Sequence, residues 1–344
     1  MGEDSANAGA CPPRNLGLDL VRATEAAALA AGRWIGLGDP LKADLDATER
    51  MYTSLSLLDV NGAIAIGEDV RMVTCNLLCT GQCVGAGNGP EVHIVVDPID
   101  GRDLVAHGYP GAIAVMAVAP AGALWSPAPA AYMEKIVVDA AVADAIVPEC
   151  LDAPAAWTLA LVARAKGCAL EDLTVFVLDR PRHANLLAEI RQAGAHVMLR
   201  GEGDVTGALL AGQLGSGVDL LMGIGGVPEG LIAACGLKAT GGAMLGRLRP
   251  QSDSEGRDVR AAGLDPERIL TTADLVCSEA TFLAATGITD GPLLSGVTYD
   301  GNRARSNSLV MRGQTKTRRV IYTEHILDRQ SETWRSYLPG EPFR

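Results

Sequence analysis

The sequence predicts an α/β fold in which helices cover a sheet, and three observations support this. First, apolar runs of strand length at residues 173–178, 196–199 and 218–222 alternate with segments of helical periodicity. Second, 344 residues with 48% hydrophobic and 20% charged side chains can bury either two cores or one large α/β core. Third, turns rich in glycine and proline follow several strands, where α/β proteins place their ligand loops.

The first half of the chain is predicted to hold two helices and four strands. Asn15 is expected to cap the first helix, whose apolar face recurs at helical spacing and which ends at Gly36. The second helix carries Met51, Leu55 and Leu58. Strands are predicted at residues 63–66, 94–96, 112–118 and 132–138, with an irregular segment at 69–90.

The second half continues the alternation. Besides the three strands above, helices are predicted at residues 155–166, 184–192 and 205–211, and after Glu229. Residues 247–260 are charged and are expected to form an exposed excursion, and the last strands are predicted at 280–285 and 318–322. The predicted organisation is a flexible tail (1–14), an N-terminal half (15–150), a C-terminal α/β half (151–330) and a peripheral tail (331–344).

Charge and hydropathy limit the possible partners. The net charge is −12, from 29 basic and 41 acidic residues, so we expect no nucleic-acid binding, which needs a basic surface. No apolar run reaches the ~18 residues of a membrane span, and the start of the chain lacks the pattern of a signal peptide. We therefore expect a cytoplasmic protein that does not bind membranes.

The cysteines leave two interpretations open. Most of the eight lie in apolar segments, which suggests buried reduced thiols. Cys75, Cys79 and Cys83 are spaced at four-residue intervals and would line one face of a helix. They either hold a soft metal or, as we prefer, pack a loop, because no fourth ligand has the spacing of a zinc or iron–sulfur motif.

The most informative stretch follows the predicted strand at 94–96. Asp97 and Asp100 are separated by Pro98 and Ile99 and followed by Gly101, so a stiff turn would hold two carboxylates at a strand end. Such a turn suits a hard cation such as Mg²⁺, although solvated aspartates in an ordinary turn remain the alternative.

Further candidate groups lie at other element boundaries. Acidic residues at such boundaries, which together resemble a cation site for phosphoryl chemistry, are Asp44, Glu68, Asp97, Asp100 and Glu229. The glycine run 223–226 could present backbone N–H groups to an anion at a helix start. Arg180 and Arg182 follow a strand and could clamp a phosphate, or could be solvated loop residues.

The chain resembles the class II, bacterial-type fructose-1,6-bisphosphatases from about Asn15 to His325. The matching pieces, in order, read NLGLDLVRATEAAALAAGRW, VVDPIDG, AYMEK, LDRPRH, GDV, LLMGIGGVPEG, ATGITDG and SLVMR. The resemblance implies a layered α-β-α-β-α sugar-phosphatase fold, a homodimer or homotetramer, and Mg²⁺ or Mn²⁺ as cofactor. It implies hydrolysis of the 1-phosphate of fructose 1,6-bisphosphate in gluconeogenesis, so a phosphorylated sugar is the expected substrate.

Matching by motif assigns roles to individual residues. The metal ligands of the family fall on Asp44, Glu68, Asp97 and Glu229. Its substrate contacts fall on Asp100, Gly101, Tyr132, Arg180, Pro181, Arg182, Glu202, Gly203, Asp204 and Gly226. The catalytic positions are Asp100 and Arg102.

The chain departs from the family pattern around this site. Arg102 stands where the family has a threonine that is proposed to activate water, and Pro40 replaces a lysine. Val70 replaces a carboxylate, the segment with Cys75, Cys79 and Cys83 replaces an acidic loop, and Glu202 replaces an aspartate. Two hypotheses follow: a metal-dependent sugar phosphatase, or a diverged paralogue that binds a phosphorylated ligand and hydrolyses it little, or that is redirected to other chemistry.

Overall fold

The structure, a computed structural model, describes residues 15–67, 76–126 and 128–327. The helices within these ranges are α1 (Leu16–Ala31), α2 (Pro40–Leu55), α3 (Arg102–His107), α4 (Ala155–Lys166), α5 (Ala184–Ala193), α6 (Asp204–Ala211), α7 (Val227–Thr240), α8 (Asp253–Ala261) and α9 (Thr272–Leu275).

The strands are β1 (Asn61–Ile66), β2 (Cys83–Val84), β3 (Glu91–Asp100), β4 (Ile113–Pro120), β5 (Tyr132–Val138), β6 (Thr174–Leu178), β7 (His196–Arg200), β8 (Leu220–Gly226), β9 (Ala243–Leu248), β10 (Leu270–Thr271), β11 (Phe282–Gly287), β12 (Thr298–Asp300), β13 (Arg303–Arg312) and β14 (Thr317–Ile326). They form two mixed sheets. The first has the order β12-β13-β11-β4-β3-β1-β2 with β14 paired to β13, and the second has the order β10-β9-β5-β8-β6-β7.

The two sheets and three helix layers stack as α-β-α-β-α, which confirms the predicted α/β fold class. One core joins α1 and α2 to the outer face of the first sheet. A second core places α6 and α7 between the sheets, and a third joins α4 and α5 to the outer face of the second sheet. Because β11 to β14 return to the first sheet, that sheet draws on both halves of the chain.

Helix α1 has the apolar face that its sequence predicts, but it is buried almost all round. Leu20, Ala23 and Ala27 are fully buried against the first sheet, and Ala26 and Ala30 on other faces are buried too. The proposed cap is wrong: Asn15 has helical backbone angles and makes no side-chain capping bond.

Three other predictions are corrected by the backbone. Strand β3 continues through Asp97–Asp100 with a register shift, so these residues form an irregular strand end and not a turn after it. The glycine run 223–226 is the end of β8, and its residues pair with β5. The supposed excursion at 247–260 contains the end of β9 and most of α8, and Arg247 within it is buried.

The cysteines are more varied than expected. Cys150 and Cys235 are buried free thiols, as predicted, and burial raises the pKa of Cys235 to about 12. Cys168 and Cys277 are exposed free thiols. In the segment with two open interpretations, Cys79 is disulfide-bonded and Cys83 is free and exposed, whereas Cys75 lies outside the described residues.

Within the described ranges, no helix is both long and apolar enough to cross a membrane.

Gly207 in α6 tests the packing between helix and sheet. A Cβ at this position would lie 2.4 Å from ring atoms of Phe176, a fully buried side chain of β6. Gly207→Ala should therefore lower the unfolding free energy, because overpacking costs about 1–3 kcal/mol and exceeds the ~1 kcal/mol of helix propensity that alanine adds. Gly256→Ala in α8 is the matched control, since its Cβ would meet the flexible end of Arg260 at 3.3 Å and Pro250 at an ordinary contact distance of 3.8 Å. Urea denaturation should show a loss for the first variant and none for the second.

Candidate active site

The site begins at the irregular end of β3, in the centre of the first sheet. β3 lies between β1, parallel to it, and β4, antiparallel to it, and its register with β4 shifts between Asp97 and Asp100. Both carboxylates are thereby held on the same buried strand end. Gly101 follows at φ 109°, a left-handed conformation that glycine adopts without strain, and α3 begins at the next residue.

Glu229 joins the two aspartates from a helix between the two sheets. It lies in the first turn of α7, immediately after β8. One oxygen each of Asp97, Asp100 and Glu229 lies within 4.8 Å of the others, and the side chains are only about 4%, 5% and 4% exposed. We call these three residues the acidic cluster. Three buried carboxylates at this separation repel one another, and their hard oxygen ligands fit Mg²⁺ or Mn²⁺.

The acidic cluster lines a cavity of about 450 Å³. The other predicted site residues that line it are Gly101, Arg102, Tyr132, Arg180, Arg182, Glu202, Gly203, Asp204 and Gly226. Asp44 and Pro181 do not line it, and Glu68 lies outside the described residues. Pro40 and Leu41, at the start of α2, also form part of the wall.

Asp204 is held by a buried lysine. Lys135 of β5 is 1% exposed, and its Nζ donates to Asp204 Oδ2 at 2.5 Å and to the carbonyl of Gly226 at 3.1 Å. The same carboxylate oxygen accepts the Gly226 N–H at 3.2 Å, so this N–H is already bonded. A Cβ on Gly225 would lie 1.9 Å from Asp204 Oδ2, which explains the need for glycine there.

Asp100 and Glu202 connect the segment at the end of β3 and start of α3 with the segment at the start of α6. Asp100 Oδ2 accepts the N–H groups of Val205 and Thr206, at 3.0 and 3.4 Å, at the start of α6. Carboxylates are stabilised at such helix starts by unpaired N–H groups and by the helix dipole. Glu202 Oε2 accepts the Asp103 N–H at 3.0 Å, and its Oε1 lies 3.5 Å from Arg180 Nη2.

Arg182 lines the cavity near β8, and its neighbour His183 bonds to the same part of β8. Arg182 donates to the carbonyl of Ile224 at 2.8 Å, and its guanidinium lies 5.4 Å from the ring centroid of Tyr132. Burial lowers the pKa of His183, so the ring is neutral at pH 7. Its Nδ1 donates to the Leu178 carbonyl at 2.7 Å, and Nε2 accepts the Ile224 N–H at 2.8 Å. His183 therefore ties the ends of β6 and β8 together and fixes the carbonyl that Arg182 uses.

Arg102 forms an ion pair with Asp44, one of the predicted metal ligands. Arg102 Nε lies 3.3 Å from Asp44 Oδ1, and Nη1 donates to Oδ2, also at 3.3 Å. The Asp44 side chain is about 3% exposed and that of Arg102 about 23%. Asp44 lies on α2 and Arg102 is the first residue of α3, so the pair joins these two helices beside the cavity.

Sequence reasoning found most of the cavity wall but missed Leu41 and the role of Pro40. It also missed Lys135 and His183, which do not line the cavity but bond to residues that form it or lie next to it. Lys135 and His183 stand inside AYMEK and LDRPRH, which were noted only as matching pieces. Pro40 is the first residue of α2, a position that suits its fixed φ, and Asp39 before it caps the helix by accepting the Lys42 N–H. The Asp39-Pro40 pair is thus a helix start that reaches the cavity.

Comparison with known proteins identifies the family of the chain. A sequence model of the family described as "Bacterial fructose-1,6-bisphosphatase, glpX-encoded" matches residues 14–325. The chain belongs to this family. It is 38% identical over 330 residues to fructose-1,6-bisphosphatase 1 class 2 of Escherichia coli strain K12, covering 92% of this chain and 97% of that protein. The fructose-1,6-bisphosphatase class 2 of Shigella flexneri matches with the same identity and coverage.

The buried pair of Lys135 and Asp204 generates a stability prediction. Lys135→Met removes the ammonium and leaves a buried carboxylate without its cation, so the unfolding free energy should fall by about 3–5 kcal/mol. Arg305→Met is the control, because Arg305 and Glu324 form an ion pair whose side chains are 52% and 54% exposed. Removing an exposed pair should cost less than ~1 kcal/mol. Equal losses in urea denaturation would contradict the structural importance of the Lys135 pair.

Proposed function

We propose that this chain is a metal-dependent phosphatase that hydrolyses a phosphate monoester of a sugar bisphosphate similar to fructose 1,6-bisphosphate. The observation that carries the proposal is the acidic cluster, which shares one cavity with Arg180 and Arg182. Carboxylates that hold a cation and guanidinium groups that bind phosphate are the two parts that this chemistry needs. Because the whole chain carries a net charge of −12, these local positive charges are required to attract an anionic substrate.

Each part of the cavity has a proposed task. The acidic cluster would hold Mg²⁺ or Mn²⁺, which polarises phosphate oxygens and lowers the pKa of bound water. Glu68 stays a predicted ligand, outside the described residues. Asp100, fixed by the N–H groups of α6, would accept a hydrogen bond from the attacking water.

Other residues of the cavity wall would bind the opposite end of the substrate. Arg180 and Arg182 would bind the phosphate that is not cleaved, by charge-assisted hydrogen bonds. Tyr132 would contact the sugar, next to Arg182. Gly203 and Glu202, between β7 and α6, would shape the pocket around it.

Phosphate release from a panel of sugar bisphosphates with Mn²⁺ tests the proposal. The unmodified protein should release phosphate from at least one member of the panel. Glu229→Gln removes a carboxylate of the acidic cluster and should abolish phosphate release. The loss should exceed the ~10–100-fold that is typical when a residue that only supports a metal ligand is changed. Glu324→Gln, an exposed change on β14, is the matched control and should leave the rate unchanged. Full activity in Glu229→Gln would exclude the proposed site.

A second candidate function is binding of a phosphorylated ligand with little hydrolysis. The observation that favours it is Arg102, whose guanidinium has no acceptor lone pair and so cannot take a proton from water as a general base does. Calorimetric titration with fructose 6-phosphate, run beside the phosphate-release assay, separates the two functions. Binding without turnover supports the second function, and fast turnover removes it.

Arg102→Thr should raise the rate of phosphate release. A hydroxyl at this position can accept a hydrogen bond from water, and general acid–base assistance is typically worth ~10²–10⁴-fold. We expect a smaller gain, because Pro40 and Val70 also differ from the family pattern. Initial rates with saturating Mn²⁺ provide the measurement. A further loss of activity in Arg102→Thr would mean that the arginine belongs to the working site.

The proposal includes a homo-oligomer, either a dimer or a tetramer. Among the described residues β14 pairs only with β13, so ten residues of edge strand offer backbone groups to a second copy. Light scattering of the purified protein measures the number of subunits.

A further inference from the structure

The ion pair between Arg102 and Asp44 compensates the negative charge of a buried carboxylate. Asp44 is 2% exposed, and a carboxylate so deeply buried is stable only when a cation compensates it. The guanidinium donates one hydrogen bond to Asp44 Oδ2, and its Nε lies within ion-pair distance of Oδ1, at 3.3 Å in both cases. Because arginine stays protonated at every physiological pH, this positive charge is permanent.

The position of Arg102 also matters for the cavity. Arg102 lines the cavity together with the acidic cluster, whereas Asp44 does not line it. The guanidinium therefore stands between Asp44 and the space where a cation would bind. A fixed positive charge there repels any further cation and so prevents Asp44 from binding a metal ion.

We propose that the Arg102 guanidinium takes the place of a metal ion at Asp44, so that the cavity binds a single divalent cation, on the acidic cluster. The inference rests on the proposed metal-dependent function but adds the number of cations and the group that limits it. Arg102 acts as an internal cation, and Asp44 acts as its anchor and not as a metal ligand. This differs from the ligand assignment that the family resemblance implies for Asp44.

Mn²⁺ titration followed by the electron paramagnetic resonance signal of free Mn²⁺ tests the proposal on the full chain. The unmodified protein and Asp44→Asn should each bind one Mn²⁺ per chain, and Asp97→Asn should bind none tightly. Arg102→Thr should bind two, because the shortened side chain opens a space beside the Asp44 carboxylate and removes the guanidinium charge from it. The double variant Arg102→Thr with Asp44→Asn should return to one, and Arg102→Lys, which keeps the charge, should stay at one.

Thermal unfolding gives a second readout that does not depend on activity. In EDTA, Arg102→Thr should melt at a lower temperature than the unmodified protein, because the buried Asp44 then loses its ion pair with the guanidinium. Addition of Mn²⁺ should raise the melting temperature of Arg102→Thr by more than that of the unmodified protein, since bound ligand stabilises the folded state. Should Arg102→Thr fail to fold, Asp44→Asn alone still decides, because its Mn²⁺ count is predicted to be unchanged.

Two results would overturn the inference. One is two Mn²⁺ ions in the unmodified protein with one lost in Asp44→Asn, and the other is a single Mn²⁺ in Arg102→Thr. Absence of Mn²⁺ binding would overturn it together with the metal-dependent function. One bound Mn²⁺ without phosphate release from any sugar bisphosphate would support the inference and refute the proposed hydrolysis, so the two failures are distinguishable.

Discussion

Buried negative charge in and beside the cavity is the constraint on which the rest of the site depends. Five carboxylates are nearly inaccessible to solvent there: Asp44, Asp97, Asp100, Asp204 and Glu229. Each buried carboxylate requires a nearby positive group, because the interior solvates charge poorly. The fold supplies Lys135 for Asp204, the start of α6 for Asp100 and Arg102 for Asp44. In the acidic cluster, one oxygen from each of three carboxylates lies within 4.8 Å of the others, and we propose this cluster as the place where a divalent cation gains most.

The fold could be predicted where burial is apolar and regular, and not where polar groups are buried in pairs. Strand β6 and helix α4 follow the expected periodicities and lie almost where the sequence places them. Strand β13 was missed, because Ser306 and Ser308 point into a polar contact with Glu25 of α1, with Ser306 Oγ 3.0 Å from Glu25 Oε1. Arg247 was predicted to be exposed for the same reason. It lies in β9 and is buried, and it forms ion pairs with Glu134 and Asp152. In the sequence, a strand with such buried polar residues has the composition that is typical of a loop.

The sequence could predict which residues line the cavity, but it could not predict which charged residues pair with one another. Short motifs at strand ends mark the residues that reach a common edge, and most of those residues do line one cavity. The partner of each charge depends on contacts between distant segments. Lys135 and Asp204 are 69 residues apart, and Asp44 and Arg102 are 58 apart. Nothing in the local pattern around Asp44 distinguishes a metal ligand from the anchor of an arginine.

The local setting of Arg102 argues that its charge is tied to Asp44 and not to α3. Arg102 is the first residue of α3, and Gly101 before it offers no side-chain cap. A cation at a helix start opposes the helix dipole, and the acidic Asp103 next to it suits that position better. The unfavourable contribution is typically ~0.3–1 kcal/mol, less than the several kcal/mol by which an uncompensated buried carboxylate destabilises a fold. The balance of these two terms favours an arginine at position 102 as long as Asp44 is buried beside it, whatever ligand the cavity binds.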